Sequence, residues 1–214
     1  VPERAGPECT ARQRAVHWLK VATHVGALTP LAAVAWMFWQ DQLGPVPVEA
    51  VTRLLGRYAL TLLLLTLVPT VFSTVTGFGE VMEVRRPLGL YAFLYAALHF
   101  LAFTGLDFRF RFKLIVPTIL ESRREIVGLV ALGILSLLAL TSIRSLMKPL
   151  GRTWKTVHRL VYAAGILVVF HYAWNYKELR TCPVVAGAAL AVLLVARVPV
   201  VRGFLSQWRR SRSS

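Results

Sequence analysis

Two of the five histidines, His158 and His171, share one apolar stretch, GRTWKTVHRLVYAAGILVVFHYAWNY at 151–176. It is long enough to cross a bilayer. Ionisable side chains at membrane depth are costly, so each one marks a candidate function. A third histidine, His99, lies in a second apolar stretch, LGLYAFLYAALHFLAFTG at 88–105. Neutral imidazoles are metal ligands, and two of them from different helices can form the axial pair of a haem b iron. His99 falls about 17 Å into its span at roughly 1.5 Å per residue, in the outer half where His171 also falls. Ala96, Ala97, Ala102 and Gly105 flank one, and Ala163, Ala164, Gly165 and Ala173 the other. Such small residues leave clearance for a flat macrocycle. The plainer alternative is buried histidines bonded to carbonyls, with small residues allowing close helix packing. That alternative is preferred for a lone histidine. Two at matching depth on different helices favour haem.

His158 precedes His171 by about 20 Å along a helix axis, and steps of about 100° put the two on different faces. A bulge near Gly165 would reduce the mismatch. The 88–105 stretch offers His158 no partner, since Arg85 and Arg86 stand at the corresponding depth. His24, in the first apolar run, is the other candidate. Three readings stay open: no second haem, a second haem held by His158 and His24, or a quinone or flavin bound at His158. Arg152, Arg159 and Lys155 surround this inner site and suit haem propionates or a flavin phosphate; for Lys155 ordinary charge at a cytoplasmic face is the preferred explanation. His17, at the membrane edge, reads as a surface residue. At the outer face, Arg109, Arg111, Lys113 and Lys177 could do the same or dock a partner protein.

These residues need a membrane scaffold. Of 214 residues, 56% are hydrophobic and 16% charged, and the mean hydropathy is +0.59. Spans and linkers leave no room for a soluble domain. The expected fold is an all-α polytopic bundle of six transmembrane helices, at about 21–39, 57–75, 88–105, 126–142, 155–176 and 182–201. Residues 1–20 read as a basic arm rather than a cleavable leader, 21–202 as one transmembrane domain, and 203–214 as a basic tail. Pro30 is tolerated in the first span or kinks it, and 40–56 is a loop. Alternating Phe108, Phe110, Phe112 and Arg109, Arg111, Lys113 read as an interfacial segment, since a lone strand there has no partner. Arg197 is placed to snorkel. No internal repeat is legible. Lysines and arginines number 15 on one side and 9 on the other, so both termini are expected in the cytoplasm. The net charge of +15 is assigned to anionic lipid rather than nucleic acid. Cys9 and Cys182 form no CxxCH motif, which leaves covalent haem without support, and the expected topology puts them on opposite faces, which argues against a disulfide.

WLKVATHVGALTPL at 18–31, GRYALTLLLLTL at 56–67, RRPLGLYAFLYAALH at 85–99 and the run from Leu138 to Trp174 together resemble the MsrQ (YedZ) family of the ferric-reductase-like transmembrane group. Trp154, His158, Tyr162, His171, Tyr172 and Trp174 carry the most specific part. The resemblance implies a haem b subunit of a bacterial inner membrane. Such a subunit takes electrons from the quinone pool, or through a flavin or a flavin reductase, and feeds a periplasmic molybdenum-containing methionine sulfoxide reductase, MsrP. The family's histidines fall on His99, His158 and His171, with His24 in a matching stretch. FMN is implied by the family alone. The segment ESRREIVGL stands where the family usually carries a K-R-P-Y-like element. On this reading the chain conducts electrons and does not itself reduce sulfoxide. Runner-up readings are a b-type ferric reductase without a dedicated partner, a transporter relaying protons through His99 and His171, and a passive anchor.

Overall fold

The computed structural model describes residues 7–175 and 181–198, with Val201, Gly203 and Gln207. Helices account for the ordered elements, and no strand occurs among the described residues. Four stretches are long and apolar enough to cross a membrane: Arg12–Trp39, Pro47–Thr76, Gly79–Asp107 and Thr153–Trp174. A shorter apolar helix covers Cys182–Val195. Large apolar side chains point outward along the bundle, among them Trp36, Phe38, Phe170, Val184 and Val192. That exterior suits lipid, and the chain is a membrane protein.

Helix α1 runs unbroken from Pro7 to Trp39, passing through Pro30 without interruption. It therefore takes up much of the expected N-terminal arm. Its first turns are held by Arg12–Glu80 at 2.6 Å and Lys20–Glu83 at 3.0 Å, onto the 3-10 segment Gly79–Val84. Helix α2, Pro47–Leu65, begins ten residues before the expected second span. Pro47 lies at its N-terminus, where the missing N–H costs nothing, and Glu49 faces the positive end of the helix dipole. Val51, Leu55, Ala59, Leu62 and Leu63 recur at helical spacing and form its buried face. The run continues as α3, Val68–Thr76, after a bend at Thr66–Leu67 where Pro69 cannot donate into the helix. Gly77, in the left-handed region at φ 80°, closes α3.

Helix α4, Arg85–Leu101, lies against α2 in the most extensive pairing of the molecule. It widens into a π-helical turn at Ala102–Asp107. The Phe/Arg alternation, read as interfacial rather than as a strand, is not extended here: Arg109 and Phe110 both take positive φ, 49° and 55°. The backbone folds back, so Phe110 N–H donates to Thr104 O at 2.9 Å and the Phe108 ring packs at a tilt against Phe103, centroids 4.9 Å apart. Phe112 continues into α5, Phe112–Glu121. Ser122 caps α6, Arg123–Leu140, by accepting from Glu125 N–H. Short helices α7, Arg144–Leu150, and α8, Thr153–Val157, lead to α9, Leu160–Asn175. A turn at His158–Arg159 separates α8 from α9. The irregularity expected near Gly165 thus sits seven residues earlier, at the histidine itself. Helix α9 pairs extensively with α6, and α10, Thr181–Val195, packs on α9. Lys177 and the tail beyond Gln207 lie outside the described residues.

Candidate functional site

The α2/α4 and α6/α9 pairs face each other across a cavity of roughly 320 Å³, at the level expected from the sequence to be outer. His99 from α4 and His171 from α9 both line it, with ring centroids 6.2 Å apart and planes at 81°. The two residues matched by depth in the sequence are therefore brought together. Each ring is oriented by its neighbouring helix. His99 Nδ1 donates to Thr52 O at 2.7 Å, and His171 Nδ1 donates to Arg124 O at 2.9 Å. A carbonyl only accepts, so Nδ1 carries the proton and the neutral ring keeps its lone pair on Nε2.

This donor set fits one haem iron. A metal–imidazole bond is about 2 Å and a ring nitrogen sits about 1 Å from its centroid, so a shared metal sets two centroids about 6 Å apart. A hydrogen bond from the far nitrogen to a carbonyl is the usual support of a ligating imidazole. Among the described residues no cluster of three or more His, Cys, Asp or Glu could hold a bare ion. A pair with only two protein ligands suits an iron whose remaining ligands come with its macrocycle. Gly56 and Gly128 also keep the walls open. A Cβ at Gly56 would stand 3.1 Å from the His99 ring, and one at Gly128 2.7 Å from the His171 ring.

The two halves of this site repeat. In each, 47 residues separate the histidine from the residue whose carbonyl it binds. In each, a glycine lies four residues after that carbonyl. Thr52, Gly56 and His99 stand 72 residues before Arg124, Gly128 and His171. The correspondence does not stand out in the sequence, where apolar residues fill most positions of both stretches. It becomes legible only in the hydrogen bonds.

A second cavity of roughly 670 Å³, at the level expected from the sequence to be inner, holds His158. The ring stacks on Trp154 at 4.0 Å, Nδ1 donates to Trp154 O at 3.1 Å, and Nε2 lies 3.3 Å from Ser142 Oγ. Lys155 and Arg159 line the cavity as expected, whereas Arg152 does not. Arg85, Arg86 and Arg197 join them, and none of the lining residues is acidic. Arg86 donates to Ser142 O. Arg197 does not snorkel. Its guanidinium turns into the bundle and donates to Tyr162 Oη at 2.9 Å, Leu67 O at 2.7 Å and Thr70 Oγ1 at 2.9 Å. Its Nε is buried without a protein partner. A buried charge gains more from three acceptors here than from a distant headgroup. Sequence depth counting had placed Arg85 and Arg86 at this level but had treated them only as the absence of a histidine.

His24 is not paired with His158. Its Nδ1 contacts Tyr91 Oη at 2.8 Å, and it lines neither cavity. His17 is exposed, as expected of a surface residue, and packs beside Trp18. Arg109, Arg111 and Lys113 are exposed. Cys182 is a free, exposed thiol.

Comparison with known proteins identifies the family. The family described as ferric reductase like transmembrane component matches residues 55–169, a stretch containing His99 and His158 and ending two residues before His171. A protein of Xanthomonas axonopodis pv. citri named protein-methionine-sulfoxide reductase heme-binding subunit MsrQ is 40% identical over 185 residues. The match covers 84% of this chain and 85% of that protein. A protein of the same name from Bordetella pertussis is 35% identical over 206 residues, covering 95% and 97% of the two chains.

Proposed function

This chain belongs to the MsrQ family of ferric-reductase-like transmembrane proteins, and from that premise we propose that it is the haem b electron-transfer subunit of a methionine sulfoxide reductase system. The observation that carries the reading is the His99–His171 pair, 6.2 Å between centroids, each ring tethered through Nδ1. A bound haem supplies one-electron acceptance and release. The chain's residues do the rest. His99 and His171 offer Nε2, the two carbonyls hold the tautomer, and the apolar walls set the dielectric that tunes the potential.

Electrons enter at the inner cavity, from the quinone pool or through a flavin or flavin reductase. Its cations and the unpartnered Arg197 Nε favour an anionic or hydrogen-bonding donor. FMN enters through the family alone, and these cations are where its phosphate would rest. His158 borders the same space and serves that donor. Electrons leave at the outer cavity to a periplasmic MsrP-like molybdoenzyme that repairs oxidised periplasmic proteins. Exposed Arg109, Arg111 and Lys113 are the docking charges. The bilayer is the bacterial inner membrane. With α6 and α10 beside the four long stretches the spans number six, and both termini are cytoplasmic. Helix α6 measures about 27 Å at roughly 1.5 Å per residue, near the thickness of a hydrocarbon core.

The test is a reduced-minus-oxidised visible spectrum of the detergent-purified chain, with the haem-to-protein ratio. A bis-imidazole b-type spectrum that disappears in both His99→Ala and His171→Ala is expected. A colourless wild-type protein, after expression with ample haem, would refute the proposal and return the proton-relay and passive-anchor readings. An unchanged spectrum in both variants would refute the ligand pair.

A further inference from the structure

We infer that Gly56 and Gly128 are positioning residues, each completing a helical seat that fixes the rotation and tautomer of one iron-ligating imidazole. The inference rests on the haem reading above. A carbonyl inside a helix already accepts from the N–H four residues later. Its second lone pair is free, but a side chain reaching it must pass the residue at that later position. Thr52 O and Arg124 O are such carbonyls, and the residues four further on are Gly56 and Gly128.

The seats are tight. A Cβ at Gly128 would lie 2.7 Å from His171 Cε1 and 2.8 Å from Nδ1, closer than real contacts allow. A Cβ at Gly56 would lie 3.1 Å from His99 Cε1 and Nδ1, which a small ring movement can accommodate. Glycine lowers helix propensity, so its presence in the body of two helices needs a local reason. Gly133, five residues further along α6, would meet nothing within 4 Å. Close approach is therefore particular to the two seats and is not a general property of glycine on these helices.

Alanine at a seat pushes the ring away from its carbonyl. The Nδ1 bond lengthens, the ligand becomes less basic, and the ferric state loses stabilisation. The experiment compares wild type, Gly128→Ala, Gly56→Ala and Gly133→Ala as full chains purified in detergent. Haem ratio, midpoint potential and the low-spin ferric electron paramagnetic resonance signal are the readouts. Gly128→Ala is expected to lose at least half its haem, or to keep it with an upward-shifted potential and altered g anisotropy. Gly56→Ala is expected to move in the same direction by less, and Gly133→Ala to match wild type. Alanine favours helix, and the milder Gly56→Ala keeps the test decisive if Gly128→Ala fails to assemble. A haem-loaded wild type with both seat variants indistinguishable from it would overturn the seats while leaving the haem reading standing. Equal effects from Gly133→Ala would overturn them too. A wild type without haem would overturn both.

Discussion

Replacing Arg197 by alanine tests the largest departure of this bundle from simple expectation. The guanidinium ties the end of α10 to Tyr162 on α9 and to the bend between α2 and α3, through Leu67 O and Thr70 Oγ1. Hydrogen bonds from a charged donor contribute about 1.5–3 kcal/mol each, so three bonds give a gross figure of roughly 4–9 kcal/mol. Two effects offset it. Freeing an ordered long side chain returns about 2 kcal/mol of entropy. Removing one of several like charges in the inner cavity relieves repulsion, and water there can solvate the Tyr162 and Thr70 hydroxyls. Leu67 is 1% exposed, so its carbonyl regains little, and a lost partner there costs about 1–3 kcal/mol. The expected net destabilisation is about 2–3 kcal/mol. For a chain of this size that lowers the midpoint by roughly 4–12 °C. Thermal unfolding in detergent, followed by near-ultraviolet circular dichroism, reads it directly. Arg197→Lys should recover part of the loss, and a cycle with Tyr162→Phe should show coupling of about 1 kcal/mol. An Arg197→Ala midpoint within about 1 °C of wild type would mean that the guanidinium lies among lipid headgroups and forms no tie.

His158→Ala should leave the outer haem spectrum intact while slowing its reduction by quinol at least tenfold; wild-type reduction kinetics would remove His158 from electron entry. Reversing Arg109 and Arg111 to glutamate should weaken transfer to a periplasmic acceptor, with the deficit shrinking as salt rises, because exposed charges act through a screened field. Transfer rates identical to wild type at every ionic strength would place docking elsewhere.

Depth counting along apolar runs was enough to match His99 with His171, because rise per residue is nearly constant in a helix. The all-helical class was legible for the same reason: runs this apolar satisfy their backbone only within themselves. Other features depend on lateral contacts, which no single run contains. Helix α2 starts early because a proline that disrupts a helix interior is harmless at its first position. The Phe/Arg alternation of 108–113 looks extended, yet two left-handed residues fold it back on Thr104. Arg197 looks like a snorkelling residue until three acceptors from other helices surround it. The break at His158 was expected in kind but not in place. Gly56 and Gly128 carry no reading in the sequence, since spacing within α2 or α6 does not reveal that an imidazole from another helix lies across them.

At the outer level the halves of the bundle are matched, imidazole against imidazole. Carried inward, the same 72-residue offset sets Arg86 against His158, and the symmetry breaks. A group gripped by two equivalent ligands leaves only when both bonds are open together, so its residence time is long. A group facing one imidazole and a cluster of cations is held by charge and hydrogen bonds that open one at a time. The duplicated framework thus suits a permanent occupant at one level and a visitor at the other, a division set by one residue that differs between its halves.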